Sequence, residues 1–370
     1  MGMDEQWRSI DLSEIFEDLT RDLSEAGVPE DFEDRYRDAV QEGGERIADV
    51  CKEHAAHFAQ AHDDLFAPFL ANLQVRWRPA LNVFATTWHL SHEEGARFSR
   101  KYQSEATESR EIVFFALRLL HARACRISGE VFALLRGGFA SGALARWRTL
   151  HEIAVVANLI GFRGDDSLAD RYLAHQAIHD ERDARSERQT AAPEDSAITD
   201  AEYEQLLAAK QELLDKYGPG YDTDYGWAVP LVGVRKPSFH DLEKLVDQDR
   251  WRPIYKAASH PVHSGAKEAV ASHVSTRAGD RLLTGPTNVG LSTPGYASLA
   301  SLLITTTALL LGNHRAPPDS ANAVIVHAMD YLVSEAGHRF THIEQEISEE
   351  EVAAWSEMHE SADGSEHASQ

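Results

Sequence analysis

An all-α protein is what this chain predicts: a helical bundle built around a long helical hairpin, with an acidic helical extension at its N-terminus. Three observations carry that expectation. Apolar residues recur at helical spacing along most of the 370 residues, while strand-like alternation is almost absent. The pair Gly137-Gly138 interrupts two long apolar-periodic segments, the signature of two helices joined by a very short turn. The charge is uneven. The chain carries a formal −24, with nineteen acids against six bases in residues 1–64 and nine acids against no base in residues 341–370, so that the body between them is close to neutral.

Each element follows from local signals. Ile15, Leu19 and Leu23 mark a first helix over 10–26, which Gly27 and Pro29 stop. A polar helix is expected over about 31–62, and an apolar one over 65–98 with breaks or kinks at Pro68 and Pro79. The hairpin follows, with helices over 104–135 and 139–160. Residues 165–188 read as an exposed charged helix, 189–198 as a loop and 200–217 as a further helix. Seven glycines and prolines make 218–238 irregular, but Tyr217, Tyr221, Tyr225 and Trp227 argue that it is ordered. Helix resumes over 239–246 and 251–273, a second loop covers 276–294, and the last helices run over 296–313 and 321–346. The expected division is therefore an acidic helical extension over 1–64, an all-α core over 65–346 and a disordered acidic tail over 347–370.

Composition excludes several classes. With 43% hydrophobic and 26% charged residues the chain is neither disordered throughout nor a uniformly basic nucleic-acid coat protein. Cys51 and Cys125 are too few for a disulfide framework or a cysteine-based zinc site, which fits a reducing cytoplasmic location. No signal peptide is visible, and the apolar run from Tyr296 to Leu311 is diluted by Ala, Ser and Thr, so a buried core helix is expected and no membrane partner. Phosphate-loop and dinucleotide motifs are absent. The stretch Gly138-Phe139-Ala140-Ser141-Gly142 has the wrong spacing for a nucleophile elbow, and a single Glu335-x-x-His338 is half of what a di-iron bundle needs.

Two clusters could carry chemistry. Between Arg118 and Arg148 stand Arg118, Arg123, Arg126, Arg136, Arg146 and Arg148, with Glu130 as the one acid. Such arginines face water, pair with distant acids or line an anion pocket. Arg148 and Glu152, four apart, share a helix face with His151 nearly on it, amid apolar neighbours. A cluster of this kind is either a structural ion pair or a functional site. The second cluster is Tyr255, Ser259, His260, His263 and Ser264, where Tyr255, Ser259 and His263 form one helical stripe that Pro261 complicates. His260-x-x-His263 has metal-like spacing, but with 19 histidines such pairs arise easily, and His54 and His57 repeat it.

The segment Leu134-Leu135-Arg136-Gly137-Gly138, continued by Gly142-Ala143-Leu144-Ala145-Arg146-Trp147-Arg148-Thr149-Leu150-His151-Glu152, resembles the core of a prokaryotic domain-of-unknown-function family, number 5677. The later Ser259-His260-Pro261-Val262-His263-Ser264 matches that family's Ser/His segment, so the resemblance covers roughly 118–314 and implies a helical fold without a reaction. Arg146-Trp147-Arg148-Thr149-Leu150-His151 also resembles the arginine-to-histidine helix of the HEPN superfamily, α-helical ribonucleases and toxins often tied to phage defence. That likeness implies metal-independent RNA cleavage across a homodimer. Arginine would hold the phosphate, His151 would take the 2′-hydroxyl proton and Glu152 would orient them.

The expected site is then Arg146, Arg148, His151 and Glu152 for catalysis, with Tyr255, Ser259, His263, Arg118 and Arg126 for ligand binding and no cofactor or metal. RNA or a nucleotide-like anion, a second copy of the chain and, for the acidic ends, a basic protein are the expected partners. Two alternatives stand beside this reading: a non-catalytic sensor of a nucleotide, another anionic ligand or a protein, and a metal hydrolase using His260 and His263.

Overall fold

A computed structural model describes residues 32–190, 198–262, 273–276, 279–312 and 319–367, together with the single residues 17, 21, 266, 270 and 314. The chain divides into two compact units, Met1–Asn72 and Leu73–Gln370. The expected helix over 10–26 lies outside the described residues apart from Glu17 and Arg21, which are helical.

In the first unit, α1 (Phe32–Glu53) is followed by the opening turns of α2 (Ala55–Glu108). Its described side chains are mostly exposed, as the excess of acids dictates. Local pairs support the helices, among them Arg37 with Asp34, Lys52 with Asp49 and Gln60 with Asp64. Each adds a few tenths of a kcal/mol.

The second unit holds the core. Helix α3 (Ile112–Arg136) runs into α4 (Ala140–Asn158) through Gly137 and Gly138, and Gly138 has the positive φ of 75° that the tight turn requires. Helix α11 (Ser292–Leu311) packs against α3, α4 and α12 (Ser320–His367). The second-unit part of α2 joins them: Trp88 Nε1 donates to Cys125 O (2.9 Å), and Ser91 Oγ lies 2.8 Å from Thr306 Oγ1. Trp77, Phe84, Phe114, Trp147, Leu159 and Phe340 are fully buried where these helices meet. Among the described residues α11 is the one helix long and apolar enough to cross a membrane, and most of it is buried in this core, as the sequence leads one to expect.

Smaller elements fill one flank. A π turn (Leu159–Arg163) ends α4 and leads to α5 (Asp166–Ala174), α6 (Gln176–Thr190) and α7 (Asp200–Tyr217). Then come 3-10 turns around Tyr221 and Trp227, α8 (Val229–Val232), α9 (Phe239–Leu245) and α10 (Arg252–Ala257). Strands β1 (His273–Thr276) and β2 (Gly279–Leu282) form an antiparallel pair with His273 opposite Leu282.

Several expectations change. Helix α2 runs unbroken through Pro68 and Pro79. Each proline removes one amide, but Asp64 and Pro68, and Val75 and Pro79, all lie on exposed turns where water can serve the freed carbonyl. The expected helix over 104–135 is interrupted after Glu108, where Arg110 takes a φ of 53° and the chain restarts at Ile112. The helix expected over 251–273 is interrupted after Ala257 by a 3-10 turn at His260–Val262 containing Pro261; Ala266 and Val270 are helical, and His273 opens β1. The charged stretch 165–188 forms two helices, and Leu168, Ala169, Ile178 and Ala184 bury their inner faces. The final helix continues past residue 346 to His367, so the acidic stretch expected to be disordered is helical as far as that residue.

Candidate functional site

The site is built where α4 meets α9 and α10, and it has two layers. In the deeper one, His151 Nε2 donates to Glu243 Oε1 at 3.0 Å, and neither side chain has any exposed surface. The other carboxylate oxygen accepts from Arg252 Nη1 (2.9 Å) and lies 3.4 Å from His240 Nδ1. Burial alone would push the Glu243 carboxyl up. The hydrogen bond from His151 and the charge of Arg252 outweigh it and hold the group below its ordinary range. A buried carboxylate survives only with partners of this kind. Trp147 stacks on the His151 ring with centroids 5.2 Å apart, and His151 Nδ1 is buried without a hydrogen-bond partner.

In the outer layer the Tyr255 hydroxyl donates a hydrogen bond to Glu152 Oε1. Arg148 Nε lies 3.4 Å from the same oxygen, and its guanidinium stands over the Tyr255 ring, 4.7 Å from the centroid. Arg252 takes a similar position over that ring at 5.1 Å, and the Phe239 ring lies 4.9 Å away. Burial, together with the neighbouring Glu152 carboxylate, pushes the Tyr255 phenol up to about 12, so it is a donor at neutral pH. The same causes raise Tyr225 further.

These layers converge on Glu152, which lines a cleft of about 590 Å³ with Arg123, Tyr172, His179, Tyr225 and Phe239. That volume is in the range of small-molecule sites. At its edge His175 Nε2 donates to the carbonyls of Tyr221 (3.1 Å) and Thr223 (2.9 Å). Burial and neighbouring His179 lower the pKa of His175 to about 4, so it is neutral at physiological pH.

Arg148, His151, Glu152 and Tyr255 are thus brought together. His151, expected as a general base, is sealed: a ring without exposed surface, already bonded to Glu243, does not meet a solute hydroxyl. Its position is that of a support behind Tyr255, with ring centroids 5.9 Å apart. Arg146 is drawn elsewhere, pairing with Glu130 at 2.6 Å, and Arg126 lies 3.6 Å from the same carboxylate. Arg118 and Arg126 line a different cleft, between α2 and α3. Ser259 is spent on a 3.3 Å bond from its hydroxyl to the Tyr255 carbonyl. His263 and Ser264 lie outside the described residues, and among the described residues no cluster of three or more His, Cys, Asp or Glu could hold a metal ion.

Sequence reasoning missed Glu243, Arg252, His240 and Tyr225. One signal existed for Glu243. It falls on the apolar stripe Phe239, Leu242, Val246, and an acid on such a stripe needs a buried partner.

Fold and site together define a helical protein that holds one oriented carboxylate in a cleft of about 590 Å³. Residues 114–281 match the model of DUF5677, a family of unknown function. The matched span contains both layers around Glu152 and the α3 arginines. No curated protein and no solved structure matches the chain, and nothing in the comparisons supports the HEPN likeness.

Proposed function

We propose that this protein is a ligand-binding module whose Glu152 cleft takes a small polar organic molecule, one that gives a hydrogen-bond donor to Glu152 and an acceptor to Arg123. The single observation behind this reading is the investment in Glu152. One carboxylate oxygen is held by Tyr255 and Arg148, and the Tyr255 ring lies against His151 and Arg252, both of which are bonded to the buried Glu243. Buried charge is costly, and a network that orients one group at a cleft has the form of a preorganised recognition site. Arg123, on the same cleft, has no acidic partner among the described residues, and Tyr172 and Phe239 offer faces for an apolar body. The ribonuclease reading would require His151 to take a proton from a 2′-hydroxyl, and the sealed ring supports the binding reading instead. A cytoplasmic location, drawn from the sparse cysteines, is part of the proposal.

The test is a thermal-shift panel of amino acids, nucleosides, polyols and simple carboxylates against the wild type and Glu152→Gln. The expected result is a shift from a compound carrying both donor and acceptor that is lost in Glu152→Gln. Shifts that survive the substitution, or a panel without any shift, overturn the proposal.

A further inference from the structure

A second cleft, of about 510 Å³, lies between α2 and α3. The sequence explains why a hollow forms there. Gly95 lets the helices close: a Cβ at that position would stand 2.1 Å from Cε1 of the His121 ring. Next to them in sequence, Ala96 and Ala122 put methyl groups where larger side chains would fill the space. His121 and Cys125 make the floor, both buried. Burial and the nearby His92 lower the pKa of His121 to about 4, so the floor is uncharged.

The walls are cationic. Arg100 comes from α2, and Arg118 and Arg126 come from α3, where with Ala122 they follow a spacing of four and share one face. No aspartate or glutamate lines the cleft. Arg100 and Arg118 have no acidic partner among the described residues. Arg126 shares Glu130, 3.6 Å away, with Arg146, which holds that carboxylate more closely at 2.6 Å. The acids nearby on α2 are engaged: Glu93 lies 3.0 Å from His89 and Glu94 pairs with Arg97 at 2.5 Å. In a chain of net −24 this is a local concentration of uncompensated positive charge. At one end stands Trp88, partly exposed, its indole nitrogen bonded to the Cys125 carbonyl.

We propose that this cleft is a binding site for a phosphorylated small molecule of nucleotide size. Guanidinium groups match phosphate oxygens in pairs and stay charged at every physiological pH. Three of them around one hollow give a multiply charged anion several donors at once. The hollow is larger than a phosphate alone needs, and Trp88 supplies a flat surface for the rest of the ligand. The proposal is independent of the Glu152 cleft, which shares no lining residue with this one.

The experiment is calorimetric titration of the full chain with adenosine diphosphate, with inorganic pyrophosphate and with a single-stranded oligoribonucleotide, each at low and high salt. Adenosine diphosphate should bind at one per chain, more tightly than pyrophosphate, and more weakly as salt rises. Loss of one bidentate phosphate contact in Arg118→Gln, and separately in Arg100→Gln, should weaken it by about tenfold or more, whereas Glu152→Gln should leave it unchanged. Arg100 is exposed, so its substitution leaves the core alone, and a melting curve checks both variants. Three outcomes overturn the proposal: no saturable binding by the folded wild type, wild-type affinity in both arginine variants, or binding confined to the oligoribonucleotide.

Discussion

Glu243 shows how much one side chain can organise. Its carboxylate collects His151, Arg252 and His240, and two of these lie against the Tyr255 ring, Arg252 over its face and His151 with centroids 5.9 Å apart. Removing one partner of a buried pair strands the other, at a cost of about 3–5 kcal/mol. Glu243→Gln should therefore lower the unfolding free energy by roughly that amount at neutral pH, measured by denaturant titration. The fold holds the Glu243 carboxyl below its ordinary value of 4.5. Its contribution is thus present above that value and lost as pH falls through the depressed one. The gap between wild type and Glu243→Gln should narrow as the titration is repeated below pH 4.5, and a gap independent of pH would contradict the assignment. Tyr255→Phe tests the outer layer. It keeps the ring under Arg148 and Arg252 but removes the hydroxyl, so any ligand shift that depends on Glu152 should weaken by about tenfold, the equivalent of one hydrogen bond to a charged group. At this scale the sequence was legible only within an element. Arg148 and Glu152 declare themselves by a spacing of four, whereas Tyr255 and Glu243 come from α10 and α9, and no periodicity links them to α4.

Helices were more legible, because their signals are local. Asp200–Tyr217 is bounded as expected: Thr199 accepts from the amide of Glu202 while Glu202 reaches back to the amide of Thr199, and Gly218 closes the far end with a φ of 85°. Thr199→Ala should cost about 1 kcal/mol in a melt, since exposure spares it any packing loss. Where the expectations failed, the deciding partner lay outside the element. Pro68 and Pro79 are strong local breakers, but the freed carbonyls face water and α2 continues. The approach of α2 to α3 was likewise invisible, since nothing in the local sequence marks Gly95 as the contact. Gly95→Ala would drive a methyl into the His121 ring. It should destabilise the protein by about 1–3 kcal/mol, with the loss read in a thermal or denaturant melt. A neutral outcome would mean that the helices separate freely there.

Across the whole molecule, the fold seals two uncharged imidazoles far from each other in sequence, His121 under α2 and His175 among the carbonyls of the 221–223 turn. Both have pKa values lowered to about 4 from an ordinary 6.5. The unfolded chain takes up protons at these positions first, so the stability tied to neutral rings is full above 6.5 and is lost as pH falls from there toward 4. Wild type should lose stability across that window, and His175→Gln should lose less of it, because an amide can keep one carbonyl bond without titrating. Equal pH slopes in the two proteins would count against a neutral His175. The charge asymmetry of the chain was plain from composition alone. The two clefts were not, since each depends on how helices pack against one another, which no local signal reports.

One feature of α4 reaches further than its size. The π turn Leu159–Arg163 inserts an extra residue into the spiral, and each residue of a helix advances the chain by about 100° around its axis. That phase shift delivers Asp165 and Asp166 to different clients. Asp165 accepts from Leu168 at the start of its own helix, while Asp166 accepts from the amides of Ile112 and Val113 at the start of α3. Deleting a single residue from the bulge would restore a regular spiral at the price of its outlet angle, and α3 would lose the carboxylate that closes its first turn. The bulge thus sets the rotation between the hairpin and the flank that carries the Glu152 cleft.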